Sequence, residues 1–477
     1  MAFNSLEYVL LLGLTALLFF RLGYRGRLAL LIASSLVFYG AFSVPLLSLI
    51  VISALVDYTC GLRIARAEGQ TRRKRWLALS VAVNLGLLAY FKYANFFLDN
   101  LGALTGDLSA HYVEVLLPPG ISFYTFQTMS YTIDVYRRRI RPTTSFLRFF
   151  LYVSFFPQLI AGPIERAGHL LVQFDHAASR RFRLANLVAG LQMIAWGMFK
   201  KAVLADHCGA IADRVYADPS LYDGWSALVA TYAFTLQIYL DFSAYSEIAR
   251  GSARIFGVDL MVNFDQPYLA RNISDFWRRW HISLSEWFRD YVYIPLGGSR
   301  GTKRRTLANL TITMFLSGLW HGAAWNFVLW GLFHGVLLLV HALARPLLRA
   351  AFTWPRLGPL GPLGPLVGGV VGWFVTLHLV VIGWVLFRVE AVADANLILA
   401  LIRRSLIDGR GAPRPEHLGF IALFAGFIAL SFADRRFGIL ARINGDAALS
   451  ATFYAAIVAL TLLLAKGDGA AFIYFQF

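Results

Sequence analysis

The chain has 477 residues, of which 58% are hydrophobic and only 15% charged, with 44 Lys and Arg against 27 Asp and Glu for a formal charge of +17. A soluble domain is nearer half apolar and a quarter charged, so this composition excludes an ordinary soluble protein and places the chain in a membrane. The positive charge lies in short clusters between apolar runs, as at the cytoplasmic ends of membrane helices, and this excludes a nucleic-acid binder.

Apolar stretches of roughly 15 to 22 residues, about what crosses a ~30 Å hydrocarbon layer as helix, recur from end to end. They are continuous and Leu-rich rather than alternating, which rules out a membrane β-barrel. The expected fold is all-α, a polytopic transmembrane helical bundle of roughly ten to twelve spans plus re-entrant and interfacial helices, forming one integral-membrane domain over the whole chain.

The opening "MAFNSLEYVLLLGLTALLFF" lacks a basic leader and a small-residue cleavage site, so it reads as a retained first span. Spans follow near 28–42, 45–60 and 76–98. Arg21, Arg25 and Arg27 follow the first span and Arg63 to Arg75 the third, whereas Asp99, Asp107 and Glu114 follow the fourth. By this bias the N-terminus lies outside. The run 114–136 carries Pro118, Pro119 and Gly120, which should break it, and together these make an N-terminal set of spans over 6–136.

A core region is expected over 144–350. It begins with "FLRFFLYVSFFPQLIAGPIER", too interrupted by Pro and Gly for a confident span and equally readable as a re-entrant segment, with Glu165 and Arg166 as a structural pair. Spans near 186–203 and 224–242 flank an acidic loop. Residues 243–305 are the least lipid-like part of the chain, and "RLGPLGPLGPL" within 351–365 reads as an exposed connector before C-terminal spans in 366–477. Cys60 and Cys208 are far apart and suggest neither a disulfide framework nor a Cys metal site.

Within "LSGLWHGAAWNFVLWGLFHG", His321 and His334 are thirteen positions apart, about 20 Å of rise and roughly 220° of rotation on a helix, so they cannot share a metal. His334 and His341 share a face but are about 10 Å apart, and there is no HExxH; no metal site is expected. Gly318, Gly322, Ala323 and Ala324 thin the backbone around His321 and suggest a tunnel beside its ring, walled by Trp320 and Trp325, with Asn326 as a polar group. His334 is expected to be packing, with Gly335 permitting close helix contact.

"NISDFWRRWHISLSEWFRDYVYIPLGG" has Asn272 or Ser274 as a helix cap and Asp275 in the first turn. Phe276, Trp280, Leu284, Trp287 or Phe288, and Tyr291 then recur at helical spacing, which predicts one amphipathic interfacial helix with His281 at the border of its polar face. "GGSRG" fits a nucleophile elbow only by chance, because it follows an amphipathic helix rather than a strand. Arg300, Lys303, Arg304 and Arg305 after it could hold the phosphates of a coenzyme A donor or could simply mark a cytoplasmic loop. Asp241 and Glu247 are either functional intramembrane carboxylates or partners of Arg250 or a loop arginine.

Both long stretches, with "SFYTFQTMSYTIDVYR", "FFPQLIAGPIER", "DFSAYSEIARGSARIFG" and "FIYFQF", resemble the membrane-bound O-acyltransferases, in the bacterial branch typified by alginate O-acetyltransferase and the teichoic-acid D-alanyl transferase. The resemblance implies a bundle with a central tunnel in the bacterial inner membrane. It implies His321, of the "WHG" motif, as the main catalytic residue and His281 as the second active-site polar position. It also implies acetyl-CoA as acyl donor, with Trp320 and Asn326 joining the basic cluster as donor-binding candidates. An exported polysaccharide such as alginate would be the end product, reached directly or through a periplasmic or membrane-anchored acceptor protein. Whether His321 is a general base or carries the acyl group stays open. From other classes, an ion-coupled transporter would use Asp241, Glu247 and the histidines as a relay, and a non-catalytic scaffold would use neither.

Overall fold

A computed structural model describes residues 1–106, 113, 116–175, 181–353, 364–466 and 472. The expected outer-loop acids Asp107 and Glu114, residues 354–363 of the Gly-Pro connector and all of "FIYFQF" but Phe472 lie outside these. The described residues are helical, with no strand among them. Among the described residues, seven segments are long and apolar enough to cross a membrane: Leu47–Arg66, Gln70–Thr105, Leu184–Tyr216, Trp325–Ala344, Leu366–Arg388, Pro415–Phe437 and Ala447–Leu464. The other long helices are shorter or too polar to qualify on their own.

The chain forms two compact units, one of the described residues within 1–198 and 244–262, the other of those within 199–243 and 263–472. In the first, α1 (Leu6–Phe19), α2 (Tyr24–Gly40), α3 (Leu47–Arg66) and α4 (Gln70–Leu88) lead through a π-helical turn into α5 (Ala94–Thr105). α6 (Ile121–Tyr136) starts just after the Pro-Pro-Gly break, where Gly120 takes φ +75° and a Cβ would stand 2.7 Å from the Leu159 carbonyl oxygen. Its polar side is buried, which requires internal partners. Thr128 and Thr132 meet Ser53, Ser80 and Asn84, and the last two donate to the buried carboxylate of Asp57.

α7 (Phe146–Ser154) then gives way to an irregular segment buried from Phe155 to Glu165, and α8 (Ala167–Asp175) and α9 (Leu184–Phe199) follow. The "FFPQLIAGPIER" stretch is thus not a regular spanning helix. Glu165 does more than neighbour Arg166: its carboxylate accepts the Met261 N–H at 2.6 Å and meets His169 Nδ1 at 2.8 Å. Burial pushes this carboxyl above its ordinary range, against both bonds.

The second unit opens with a π-helical turn, Lys200–Ala205, leading into α10 (Asp206–Tyr216). α11 (Gly224–Ile255) is a single 32-residue helix, of which residues 224–243 belong to this unit and 244–255 to the first. α12 (Ile273–Arg279) and α13 (Ile282–Phe288) precede the hairpin of α14 (Lys303–His321) and α15 (Trp325–Thr353). α16 (Gly364–Arg388), α17 (Val392–Leu406), α18 (Pro415–Phe437), α19 (Ile439–Gly445) and α20 (Ala447–Leu464) complete it.

Two sequence expectations change here. The stretch 272–291 is not one interfacial helix: it breaks at Trp280–His281, where His281 takes φ +42° and ψ +57°. Its aromatic face is buried rather than laid on an interface, with Phe276, Trp280, Leu284, Trp287 and Phe288 all at most 5% exposed. Gly318 and Gly322, two of the small residues near His321, are closed off by close packing rather than lining open space. A Cβ on Gly318 would stand 2.3 Å from the Phe327 carbonyl oxygen, one on Gly331 would stand 2.4 Å from that of Met314, and one on Gly322 would enter the Phe327 ring. Gly318 and Gly331 face one another, so the space is filled by two backbones in contact, the usual use of small residues between membrane helices.

Candidate active site

α14 delivers His321 as its last residue, 4% exposed, with Gly322 as the extended residue that ends the helix. The imidazole is walled by rings set edge to face: Trp320 at 5.0 Å between centroids, Trp330 at 5.0 Å and Phe387 at 5.3 Å. His281 is fully buried at the α12–α13 break, 4.7 Å from Phe242 and 5.9 Å from Trp320. The two histidines that the resemblance selected, forty positions apart in sequence, thus meet the same indole. Burial in this apolar setting pushes the His281 imidazole down to about 3, so it is neutral across the physiological range.

Trp320 is therefore part of the histidine site. Trp325, expected to wall it, is 56% exposed. Asn326 is buried, but its Nδ2 donates to the Val389 carbonyl at 2.8 Å and so ties α15 to the end of α16. His334 is wholly buried, 4.8 Å from Trp330 and 5.2 Å from Trp277. A Cβ on Gly383 would come within 2.9 Å of its Nε2, so close packing surrounds it. Gly335 is in ordinary contact only; Gly331 makes the close approach instead.

The basic cluster stands apart from His321. Arg300, Lys303, Arg304 and Arg305 are exposed at the start of α14, and His321 is at its other end, roughly 27 Å away at the rise of a helix. Thr302 caps the helix, Arg305 Nη2 donates to Leu296 O at 3.2 Å, and Asn309 Nδ2 donates to Gly298 O at 3.0 Å. These bonds fold "GGSRG" onto the first turns of α14 as a loop preceded by a π-helical turn, the wrong setting for a nucleophile elbow.

Sequence reasoning missed the partner of Asp241. Lys201 bridges Asp241 at 2.8 Å and Asp206 at 2.9 Å, all three nearly fully buried, while Lys200 donates to Ser243 at 2.9 Å. Asp241 is thus held in an ion triad with a lysine that the search for arginines passed over, and Glu247 belongs to the other compact unit. The available signal was the Lys-Lys pair at 200–201, set inside a continuous helical run rather than after it. Also missed was Asn263, whose bonds to the His281 segment are described below. Among the described residues no three His, Cys, Asp or Glu side chains converge as metal ligands.

The described site, two buried histidines on one indole in a helical membrane protein, coincides with relationships visible along the chain. The pattern of the MBOAT, membrane-bound O-acyltransferase family, matches residues 31–364. The chain is 42% identical over 372 residues to the probable alginate O-acetylase of Azotobacter vinelandii, covering 77% of this chain and 70% of that one. It is 43% identical over 381 residues to that of Pseudomonas aeruginosa, covering 78% and 69%. With the peptidoglycan O-acetyltransferase of Helicobacter pylori it shares 34% identity over 396 residues, covering 77% and 72%. The chain belongs to the membrane-bound O-acyltransferase family and is a multi-pass membrane O-acyltransferase.

Proposed function

We propose that this protein sits in a bacterial inner membrane with its N-terminus in the periplasm and moves acetyl groups from cytosolic acetyl-CoA to hydroxyls of an exported polysaccharide of the alginate kind. Transfer is direct or passes through a periplasmic or membrane-anchored acceptor protein. The observation that carries this reading is the convergence of His281 and His321 on Trp320 inside the family's matched region.

His321 takes the proton of the attacking hydroxyl as that oxygen bonds to the thioester carbonyl carbon. The carbon–sulfur bond then breaks, and the proton passes to the departing thiolate. General-base assistance of this kind is worth about 10² to 10⁴ in rate. His281, neutral and therefore carrying one ring N–H, stabilises the negative charge that grows on the carbonyl oxygen. The basic start of α14 receives the phosphates of the donor, whose long arm suits a charge cluster remote from the reacting carbon. Apolar rings around His321 limit water and so hydrolysis of the thioester.

The test compares wild type with His321→Ala, inserted to equal levels, by loss of acetyl-CoA thioester with and without deacetylated alginate. A fall of about 10² or more is expected for the variant. Equal turnover in both would remove His321 from the reaction.

A further inference from the structure

His281 begins α13, the position where Ser, Thr, Asp or Asn normally uses its side chain to cap the helix, yet it makes no capping bond. Its backbone is left-handed, unfavourable for any residue with a Cβ and maintained only when the surroundings enforce it. The enforcement comes from upstream. Asn263 O accepts the Ile282 N–H at 2.9 Å, and Asn263 Oδ1 accepts both the Ser283 N–H at 3.3 Å and the Ser283 hydroxyl at 2.7 Å.

Ile282 and Ser283 are the first two residues of α13, so Asn263 takes two of the N–H groups that a helix start leaves without intrahelical partners. Two residues on, the Asp265 N–H donates to Arg279 O, at the end of α12, at 3.0 Å. The segment 263–265 therefore clasps the break from both sides. Between its ends, Phe264 packs on Trp280 at 5.0 Å. Asn263 and Ser283 are at most 1% exposed, so these bonds form where water does not compete. An amide does this without placing a charge beside a neutral imidazole.

We propose that Asn263 is a positioning residue for acyl transfer: by capping α13 in place of His281, it fixes the left-handed backbone at the break and leaves the imidazole turned toward Trp320. This rests on the reading of His281 as part of the reaction site. It also explains why an apolar, aromatic segment is interrupted where it is, since a continuous helix would carry the 281 side chain elsewhere.

The test is a double-mutant cycle on the full chain in detergent, reading CoA release from acetyl-CoA in Asn263→Ala, His281→Ala and the pair. Misplacing a site group by about 1 Å can cost about 10² in rate, so Asn263→Ala should lower kcat about 10- to 100-fold with KM for acetyl-CoA changed less than about threefold. Asn263→Asp, which keeps the acceptor oxygen but brings a carboxylate near the imidazole, should recover only part of that loss. In the His281→Ala background Asn263→Ala should add less than about a twofold further fall, because it acts through the absent ring. If Asn263→Ala does not accumulate, Ser283→Ala takes its place in the cycle with a loss of about three- to tenfold expected.

Losses that multiply in the pair, or a wild-type rate in the Asn263 or substitute Ser283 variant while His281→Ala is impaired, would overturn the proposal. A wild-type rate in His281→Ala would instead overturn the site reading beneath it.

Discussion

His321 and His281 touch the same indole but are placed by opposite means. His321 ends a regular 19-residue helix whose partner, α15, is drawn close by glycine facing glycine. His281 sits at a break between two seven-residue helices, in a backbone geometry that its own side chain does not support. One histidine is positioned by helix packing, the other by a polar clasp. The two should therefore fail differently under mutation, the first through volume and the second through hydrogen bonding.

The largest effect should come from adding volume at the hairpin. Gly331→Ala puts a methyl 2.4 Å from a backbone oxygen that cannot turn aside, so the helices must separate. Overpacking of this kind costs about 1–3 kcal/mol, and thermal unfolding should show it together with loss of turnover. Gly86→Ala is the control: nothing lies within 4 Å of the added methyl, and an exposed helix should be unchanged or slightly firmer. Equal midpoints for the two variants would mean that the glycine contact does not place His321.

The second test uses the neutrality of His281. Its folded value near 3 lies below the ordinary value of 6.5, so the unfolded chain binds a proton that the folded chain refuses. Stability tied to this group is complete above about pH 6.5 and falls as pH drops, by about 2 kcal/mol at pH 5. His281→Asn, which also tolerates the left-handed backbone, removes this proton uptake. On moving from pH 7 to pH 5 the wild type should lose more stability than the variant, read as a larger drop in unfolding midpoint. Parallel drops would contradict a buried, neutral imidazole.

Much of this was legible in the residues. The all-helical membrane fold followed from Leu-rich runs, and the Pro-Pro-Gly break before Ile121 from rules that act within a few residues. His321 stands out for the small residues around it, but smallness alone does not distinguish an open space from two backbones in contact, and at Gly318 only the facing glycine on α15 decides. The break at His281 was hidden because Phe276, Trp280, Leu284 and Trp287 keep helical spacing straight through it. The signal lay eighteen residues upstream, in an Asn whose bonds are made across the fold. The Lys201–Asp241 pair is hidden for the same cause, since the two lie forty residues apart, although Asp206, the second partner of Lys201, is only five positions on.

A smaller effect separates Asn326 from the donor. The sequence makes it a donor-binding candidate, but its amide holds Val389 O. Asn326→Ala should cost about 1–2 kcal/mol by leaving that buried carbonyl unpaired, seen as a lower unfolding midpoint, while KM for acetyl-CoA stays unchanged. A raised KM at unchanged stability would return it to the donor site.

The smallest effect on the histidines should come from the far end of α14. Lys303, Arg304 and Arg305 occupy its first turn, where the helix macrodipole already concentrates positive charge. Each is therefore in an unfavourable place by a few tenths of a kcal/mol, and neutralising them should not weaken the helix. Two reasons for keeping them make different predictions. If they receive donor phosphates, the triple alanine variant should raise KM for acetyl-CoA by about three- to tenfold, with kcat unchanged and the difference shrinking in high salt. An acetyl thioester of pantetheine alone, which lacks the nucleotide phosphates, should then show no change in KM between wild type and variant. If the cluster only fixes orientation, both donors should respond alike, and the loss should appear as less correctly inserted protein. The ratio of the two KM values thus isolates the charge effect from anything the substitution does to His321, about a helix length away.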